Sequence, residues 1–311
     1  MFTLATVIFS FLFVYFRFSF TRYYVQATPE MLTNGTAFVP FQYRALIPLL
    51  VHGLVELFPN TRFMSLYQVF EFIATVGLCF AFRHYLSFFL PNPLLSSSFA
   101  LSLFYSLPFN FLNGSWYPSD IPSVLFFTLG LVLLYRQNWR WYYPLFIVAT
   151  VNRETTLFLT LLYVAVSFGK VSSRELMGHV VVQFCIWIAI KALLYELYLN
   201  NPRLGYGLFQ IQLLGNMIRV KHPYKVFLFL TNWGLIWLPL VMGHSMIRPD
   251  FVRRSLLVPI VQIALLSIVG VLTEMRIYGE MIPVVLTAFV LVMYEVGQSI
   301  AMARLKQWRR G

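Results

Sequence analysis

The stretch WYYPLFIVATVNRETTLFLTLLYVAVSF, Trp141 to Phe168, is apolar except at its middle, where Asn152, Arg153, Glu154 and Thr155 stand together. An arginine or glutamate at membrane depth costs roughly 2.5–3.5 kcal/mol on insertion scales, so such a cluster points to a site unless its charges merely pair structurally. The flanks decide how the chain carries it. Arg136 and Arg140 precede the stretch, and Lys170 and Arg174 follow it. One long helix would send these basic clusters to opposite faces. A hairpin of two short helices with its apex at 152–155 keeps both on the cytoplasmic side, with Arg83, Arg248, Arg253, Arg254 and the Arg304–Arg310 tail, as the positive-inside rule prefers. The hairpin is therefore expected. Thirteen residues from Arg140 to Arg153 and sixteen from Glu154 to Lys170 rise roughly 20 and 24 Å, short of a hydrocarbon core about 30 Å thick. The apex then stops below the outer interface, where non-helical backbone is tolerated only against protein or a water-filled cavity.

The rest of the chain fits this setting. Of its 311 residues 59% are hydrophobic, 18% aromatic and only 11% charged, with a mean hydropathy of +0.73, whereas soluble domains carry about a quarter charged residues. The formal charge of +12 comes from basic residues that punctuate apolar runs, as topology signals and headgroup anchors do, and implies no nucleic-acid partner. Cys79 and Cys185 fall inside expected spans, where a thiol behaves as a small hydrophobe. The first apolar run has no basic region before it and no small-residue cleavage site before Arg22, so it reads as a retained span. Runs long enough to cross lie at Phe2–Phe20, Phe63–Phe82, Ser97–Leu112, Ile121–Tyr135, Leu176–Tyr198, Val226–Met242, Leu256–Leu272 and Met281–Val296. With the hairpin they give an all-α bundle of about ten spans, a single transmembrane domain over 1–311 with both termini cytoplasmic. Membrane lipids are its surroundings, in a bacterial inner membrane or one of the endoplasmic-reticulum type.

Most remaining polar residues collect on the extracytoplasmic side, in loops 21–62, 113–120, 200–225 and 274–280. Phe41–Phe58 and Leu208–Val220 read there as interfacial helices. No serine-hydrolase, zincin, P-loop, dinucleotide-binding or Cys-x-x-Cys motif is present. His52, His84, His179, His222 and His244 are scattered and read as packed or interfacial residues.

Four clusters remain as candidates. Asp120, in Tyr117-Pro-Ser-Asp-Ile-Pro122, reads equally as a helix cap and as a catalytic or metal-binding carboxylate. Arg153 and Glu154 are adjacent, so on a helix they point about 100° apart and need separate partners. Arginine suits phosphate recognition, and a partly buried glutamate suits a general base. Asn152 and Thr155 read as the end of one short helix and the cap of the next. Glu274-Met-Arg276-Ile-Tyr278-Gly-Glu280 delivers a charged turn to the same side, with Arg276 and Glu280 spaced for an ordinary helical pair. Arg44 opens the Phe41–Phe58 helix. Glu71 and Lys191 lie at matched depth on two spans and are expected to pair.

These motifs, with Phe41-Gln-Tyr-Arg-Ala-Leu-Ile-Pro48, make the chain resemble the GT-C superfamily of membrane glycosyltransferases. The resemblance implies transfer of a sugar from a polyprenyl-phosphate donor to a glycan, lipid or protein acceptor on the extracytoplasmic face. It implies phosphate or substrate binding by Arg153, Arg276 and Arg44, near Asn152, Glu274 and Tyr278, and a base among Glu154, Asp120 and Glu30. Many members carry an aspartate or acidic pair in the loop after the first span, where this chain offers Glu30, with Glu56 further on. A divalent metal is a possible cofactor on this reading. Two other classes fit the charges: a transporter or flippase for a lipid-linked or anionic substrate, with Glu71, Lys191 and Glu196 on its path, and a noncatalytic subunit of a polysaccharide-assembly complex.

Overall fold

The structure, a computed structural model, describes residues 1–204 and 211–308. In chain order its helices are α1 (Phe2–Phe20), α2 (Pro29–Thr33), α3 (Leu46–Leu57), α4 (Phe63–Leu86), α5 (Pro93–Ala100), α6 (Leu103–Phe111), α7 (Asp120–Tyr135), α8 (Trp139–Asn152), α9 (Leu157–Ser167), α10 (Ser173–Leu197), α11 (Leu213–Val220), α12 (Pro223–Leu230), α13 (Trp237–Gly243), α14 (Asp250–Ser255), α15 (Leu257–Val269) and α16 (Ile282–Trp308). Among the described residues no strand forms, and six helical segments are long and apolar enough to cross a membrane: Phe2–Phe20, Phe63–Leu86, Pro93–Phe111, Ser173–Leu197, Asp250–Val269 and Met275–Ala303. This is the pattern of an all-α, multi-pass membrane protein. Leu46–Leu57, Asp120–Tyr135 and Glu154–Ser167 are shorter apolar helices.

Local chemistry sets several starts. Ser172 accepts the N–H of Glu175, and Asn92 accepts that of Leu94 ahead of Pro93, each satisfying a donor the first turn leaves open. The core centres on α16, whose Ile282, Val284, Leu286, Ala288 and Val290 have no exposed surface. A helix apolar on every side belongs inside. By contrast, α10 buries only Gln183 and Leu194 and turns most of its length outward.

The chain folds back at Arg153. Trp139, at the start of α8, meets Tyr163 of α9 edge to face with centroids 5.0 Å apart. Gln183 of α10 accepts the hydroxyls of both Tyr142 (2.9 Å) and Thr160 (2.8 Å), so α8 and α9 run antiparallel against a shared neighbour.

Two expected elements take other forms. Phe41–Phe58 is not one helix: a tight turn at Phe41–Tyr43 leads to Arg44 in a non-helical conformation, and α3 starts at Leu46. The N–H of Ala45 donates to Val151 O (3.1 Å), which ties this break to the end of α8. The expected span Val226–Met242 is α12 and α13, separated by Trp233, Gly234 and Leu235 with φ of +56°, +74° and +62°. That left-handed backbone costs free energy for Trp and Leu. Asn110 of α6 offsets it. Its Oδ1 accepts the Trp233 N–H (3.0 Å), while its Nδ2 donates to Asn232 Oδ1 (2.9 Å) and Met275 O (2.8 Å). Of the expected interfacial helix Leu208–Val220, Leu208–Gln210 lie outside the described residues and α11 covers Leu213–Val220. Residues 309–311 of the basic tail also lie outside them.

Candidate functional site

Asp120 is the hub of the charged residues. It is the first residue of α7 and has no exposed surface. Its Oδ2 accepts the backbone N–H of Tyr117 (3.1 Å) and Nη2 of Arg17 (2.7 Å), while its Oδ1 faces Nη1 of Arg153 and Nη1 of Arg276, each at 3.3 Å. This corrects the helix-cap reading, because the carboxylate reaches back to Tyr117 and out to three arginines rather than forward into its own helix. Four donors around one carboxylate satisfy it fully, as buried charge requires.

Arg17 is the residue that sequence reading missed. It is the single charged side chain in the apolar run Phe2–Phe20, and α1 carries it to full burial, over the Phe111 ring at 5.2 Å. Besides Asp120 it bonds Glu71 of α4. The expected Glu71–Lys191 pair therefore does not form. The signal was available, since a lone arginine inside a span carries the same cost as the Asn152–Thr155 cluster.

The hairpin apex supplies the next layer. Asn152 donates to Ser119 O (3.1 Å) and Ser123 Oγ (2.9 Å), fixing the end of α8 to the start of α7. The chain is extended at Arg153, and a short turn at Glu154–Thr156 leads into α9. Arg153 thereby points at Asp120 and lies 3.6 Å from Glu280, which also accepts the Thr155 hydroxyl. Arg276 bonds Glu274 and Asp120, not Glu280, so the expected Arg276–Glu280 helical pair is absent. Two guanidinium groups approach the Tyr117 ring, Arg276 at 3.9 Å and Arg44 at 5.6 Å from its centroid. Burial pushes the Tyr117 phenol above its ordinary value despite the pull of these arginines, which keeps it neutral.

At the rim, Arg44 Nη2 donates to Glu154 Oε1 (2.8 Å). Burial works against the Arg44 charge, but the bonded Glu154 carboxylate, with Tyr117 and Asp120 nearby, holds the guanidinium above its ordinary value. Glu154 is 40% exposed and Arg44 14%, against 0% for Asp120 and 2% for Arg153, so an incoming molecule meets the Arg44–Glu154 pair before the Asp120 hub. Arg44 Nε, Arg44 Nη1 and Lys191 Nζ are buried without a partner among the described residues.

No family model, curated protein or solved structure matches this chain.

The remaining candidates divide. Arg44, Asn152, Arg153, Glu154, Glu274, Arg276 and Asp120 come together at one end of the bundle, joined by Glu280, Arg17 and Glu71. Glu30, on the short helix α2, is exposed and forms no ion pair among the described residues. Tyr278 is buried beside Phe229 and offers its backbone carbonyl to the Trp233 indole N–H. The residues do not fit a divalent cation. Among the described residues no three His, Cys, Asp or Glu side chains gather as ligands, and arginines already occupy both oxygens of Asp120.

Proposed function

We propose that the chain is a membrane glycosyltransferase. It moves a sugar from a polyprenyl-phosphate donor to a hydroxyl of a glycan, lipid or protein acceptor. The site lies at the extracytoplasmic end of a ten-span bundle whose termini are cytoplasmic. The observation that carries this reading is the rim pair, an ionisable carboxylate open to the outside and bonded to an arginine with two unused donor nitrogens.

Glu154 takes the proton of the acceptor hydroxyl as that oxygen bonds to the anomeric carbon. The bond from that carbon to the donor phosphate breaks, and the phosphate leaves with the electron pair. A positioned general base contributes about 10²–10⁴-fold in rate, and Arg44 stabilises the charge that develops on the leaving phosphate. Asp120, with both oxygens held by arginines, positions Arg153 and Arg276 and takes no proton.

The purified chain, incubated with a panel of polyprenyl-phosphate-linked radiolabelled hexoses and pentoses, is expected to transfer one of them. Glu154→Ala and Arg44→Ala should abolish transfer while leaving membrane insertion unchanged. Near-normal transfer by Glu154→Ala removes it as the base. Topology is tested by labelling a cysteine placed at the exposed Asn113, in the loop before Asp120, after Cys79 and the exposed Cys185 have been replaced. Labelling from the cytoplasmic side alone overturns the orientation. The broken α12–α13 segment favours a second reading, transport of the same lipid-linked sugar, since transporters use discontinuous helices. Movement of labelled donor across proteoliposomes without turnover would support it.

A further inference from the structure

Lys191 has no role in the charge network around Asp120, and its Nζ is buried without a hydrogen-bond partner among the described residues. A lysine that serves only the membrane surface extends its ammonium to water or headgroups. This one is held inside. One turn earlier on α10, the Trp187 indole N–H donates to Glu154 O (2.9 Å). Ile190 packs against the cluster of Val39, Ala45, Leu194 and Tyr198. The first contact sets this part of α10 against the Glu154 turn, and the second sets it against the segment that carries Arg44, so Lys191 faces the corner where Arg44 and Glu154 pair.

The balance of charge separates this corner from the hub. Arg17, Arg153 and Arg276 face Glu71, Asp120, Glu274 and Glu280, so the hub has no excess positive charge. Here Arg44 takes the single carboxylate of Glu154, and Lys191 pairs with no carboxylate among the described residues. A buried cation left over in this way wants an anion.

We infer that Lys191 Nζ, with Nε and Nη1 of Arg44, forms an oxyanion site for one phosphate group, making Lys191 a ligand-binding residue. That this phosphate belongs to a sugar donor rests on the proposed transferase reading; the site itself does not. Its chemistry suits a phosphate monoester or diester, whether carried on a polyprenyl chain, on a bilayer phospholipid or free in solution.

The full chain in nanodiscs of zwitterionic lipid is titrated with farnesyl phosphate in one arm and inorganic phosphate in another. Unfolding temperature and phosphorus NMR line width follow binding. Farnesyl phosphate should raise the unfolding temperature saturably, and Lys191→Met should weaken its binding at least tenfold while Lys191→Arg keeps most of it. Without ligand, Lys191→Met should unfold no earlier than the wild type, because it removes an unpaired buried charge. Lys191→Gln is the second variant if Lys191→Met does not fold. Saturable binding of inorganic phosphate alone assigns the site to free phosphate. Loss of farnesyl phosphate binding when phosphatidylglycerol is added identifies a bilayer headgroup as the occupant. Both outcomes support the site. No binding in any arm, or equal affinity in Lys191→Met and the wild type, overturns it. Lys191-dependent binding without sugar transfer keeps the site and removes the transferase reading.

Discussion

Replacing Arg17 by methionine tests whether the buried network is held by charge pairing. Arg17 is completely buried and bonds both Glu71 and Asp120. Asp120 keeps Arg153 and Arg276 after the change, whereas Glu71, at 2% exposure, loses its only ion-pair partner among the described residues. Removing one member of a buried pair costs about 3–5 kcal/mol, mostly through the charge left behind. Glu71→Gln alone should cost about 1–3 kcal/mol, since Arg17 retains Asp120 and only one charged hydrogen bond is weakened. The double variant Arg17→Met/Glu71→Gln strands no carboxylate on α4. It should therefore be about 1–3 kcal/mol more stable than Arg17→Met alone, where two independent losses would add. The assay is equilibrium unfolding of the purified chain in mixed micelles by added sodium dodecyl sulfate, followed by tryptophan fluorescence. Equal instability of Arg17→Met and the double variant would show that Glu71 is not stranded and would refute the pairing argument. So would an Arg17→Met variant as stable as the wild type.

Two further changes test how the turn around Arg276 is seated. A Cβ at Gly279 would overlap the Phe111 ring, so Gly279→Ala should destabilise the chain by about 1–3 kcal/mol. The same unfolding assay reads it, and no loss of stability would contradict this close approach. Tyr117→Leu removes the ring that Arg276 and Arg44 approach and should cost about 1–2 kcal/mol or more, as desolvated cation–π contacts do. Tyr117→Phe keeps the ring face and should stay within about 0.5 kcal/mol of the wild type, the range of substitutions that touch no such feature. Equal losses in the two variants would place the effect in the hydroxyl instead.

Much of the architecture was legible because burial in lipid constrains composition so strongly. Apolar length marked α1, α4 and α10, and the charge cluster at Asn152–Thr155 marked the point where the chain turns back. The break at Trp233–Leu235 was not legible. Its left-handed backbone is held by Asn110, more than a hundred residues earlier, and no local propensity carries that information. The split of Phe41–Phe58 depends in the same way on Val151, which is distant in sequence. Within the site, the motifs located most of the members but not their pairing. Spacing suggested Arg276 with Glu280, and depth suggested Glu71 with Lys191. The actual partners are Glu274 and Asp120 for Arg276, and Arg17 for Glu71, because rotation about each helix axis, which depth alone does not set, decides which side chains meet.

The pairing divides the charged residues by task. Asp120 joins α1, the hairpin apex and the Met275–Met281 turn through one arginine from each. A carboxylate so fully engaged, with no open surface, cannot accept a proton from an entering hydroxyl without breaking ion pairs to three separate segments. Loss of Asp120 should therefore loosen the end of the bundle as well as the chemistry. Glu154 differs in both respects: one arginine holds it, and 40% of its side chain is open. Arg44 stands on the loop before α3, Glu154 on the turn into α9 and Lys191 on the outward-facing α10, so three separate segments bring the rim together beside the Asp120 hub. The buried, fully paired hub therefore carries the fold, so Asp120→Asn should cost more stability than Glu154→Gln at the half-open rim.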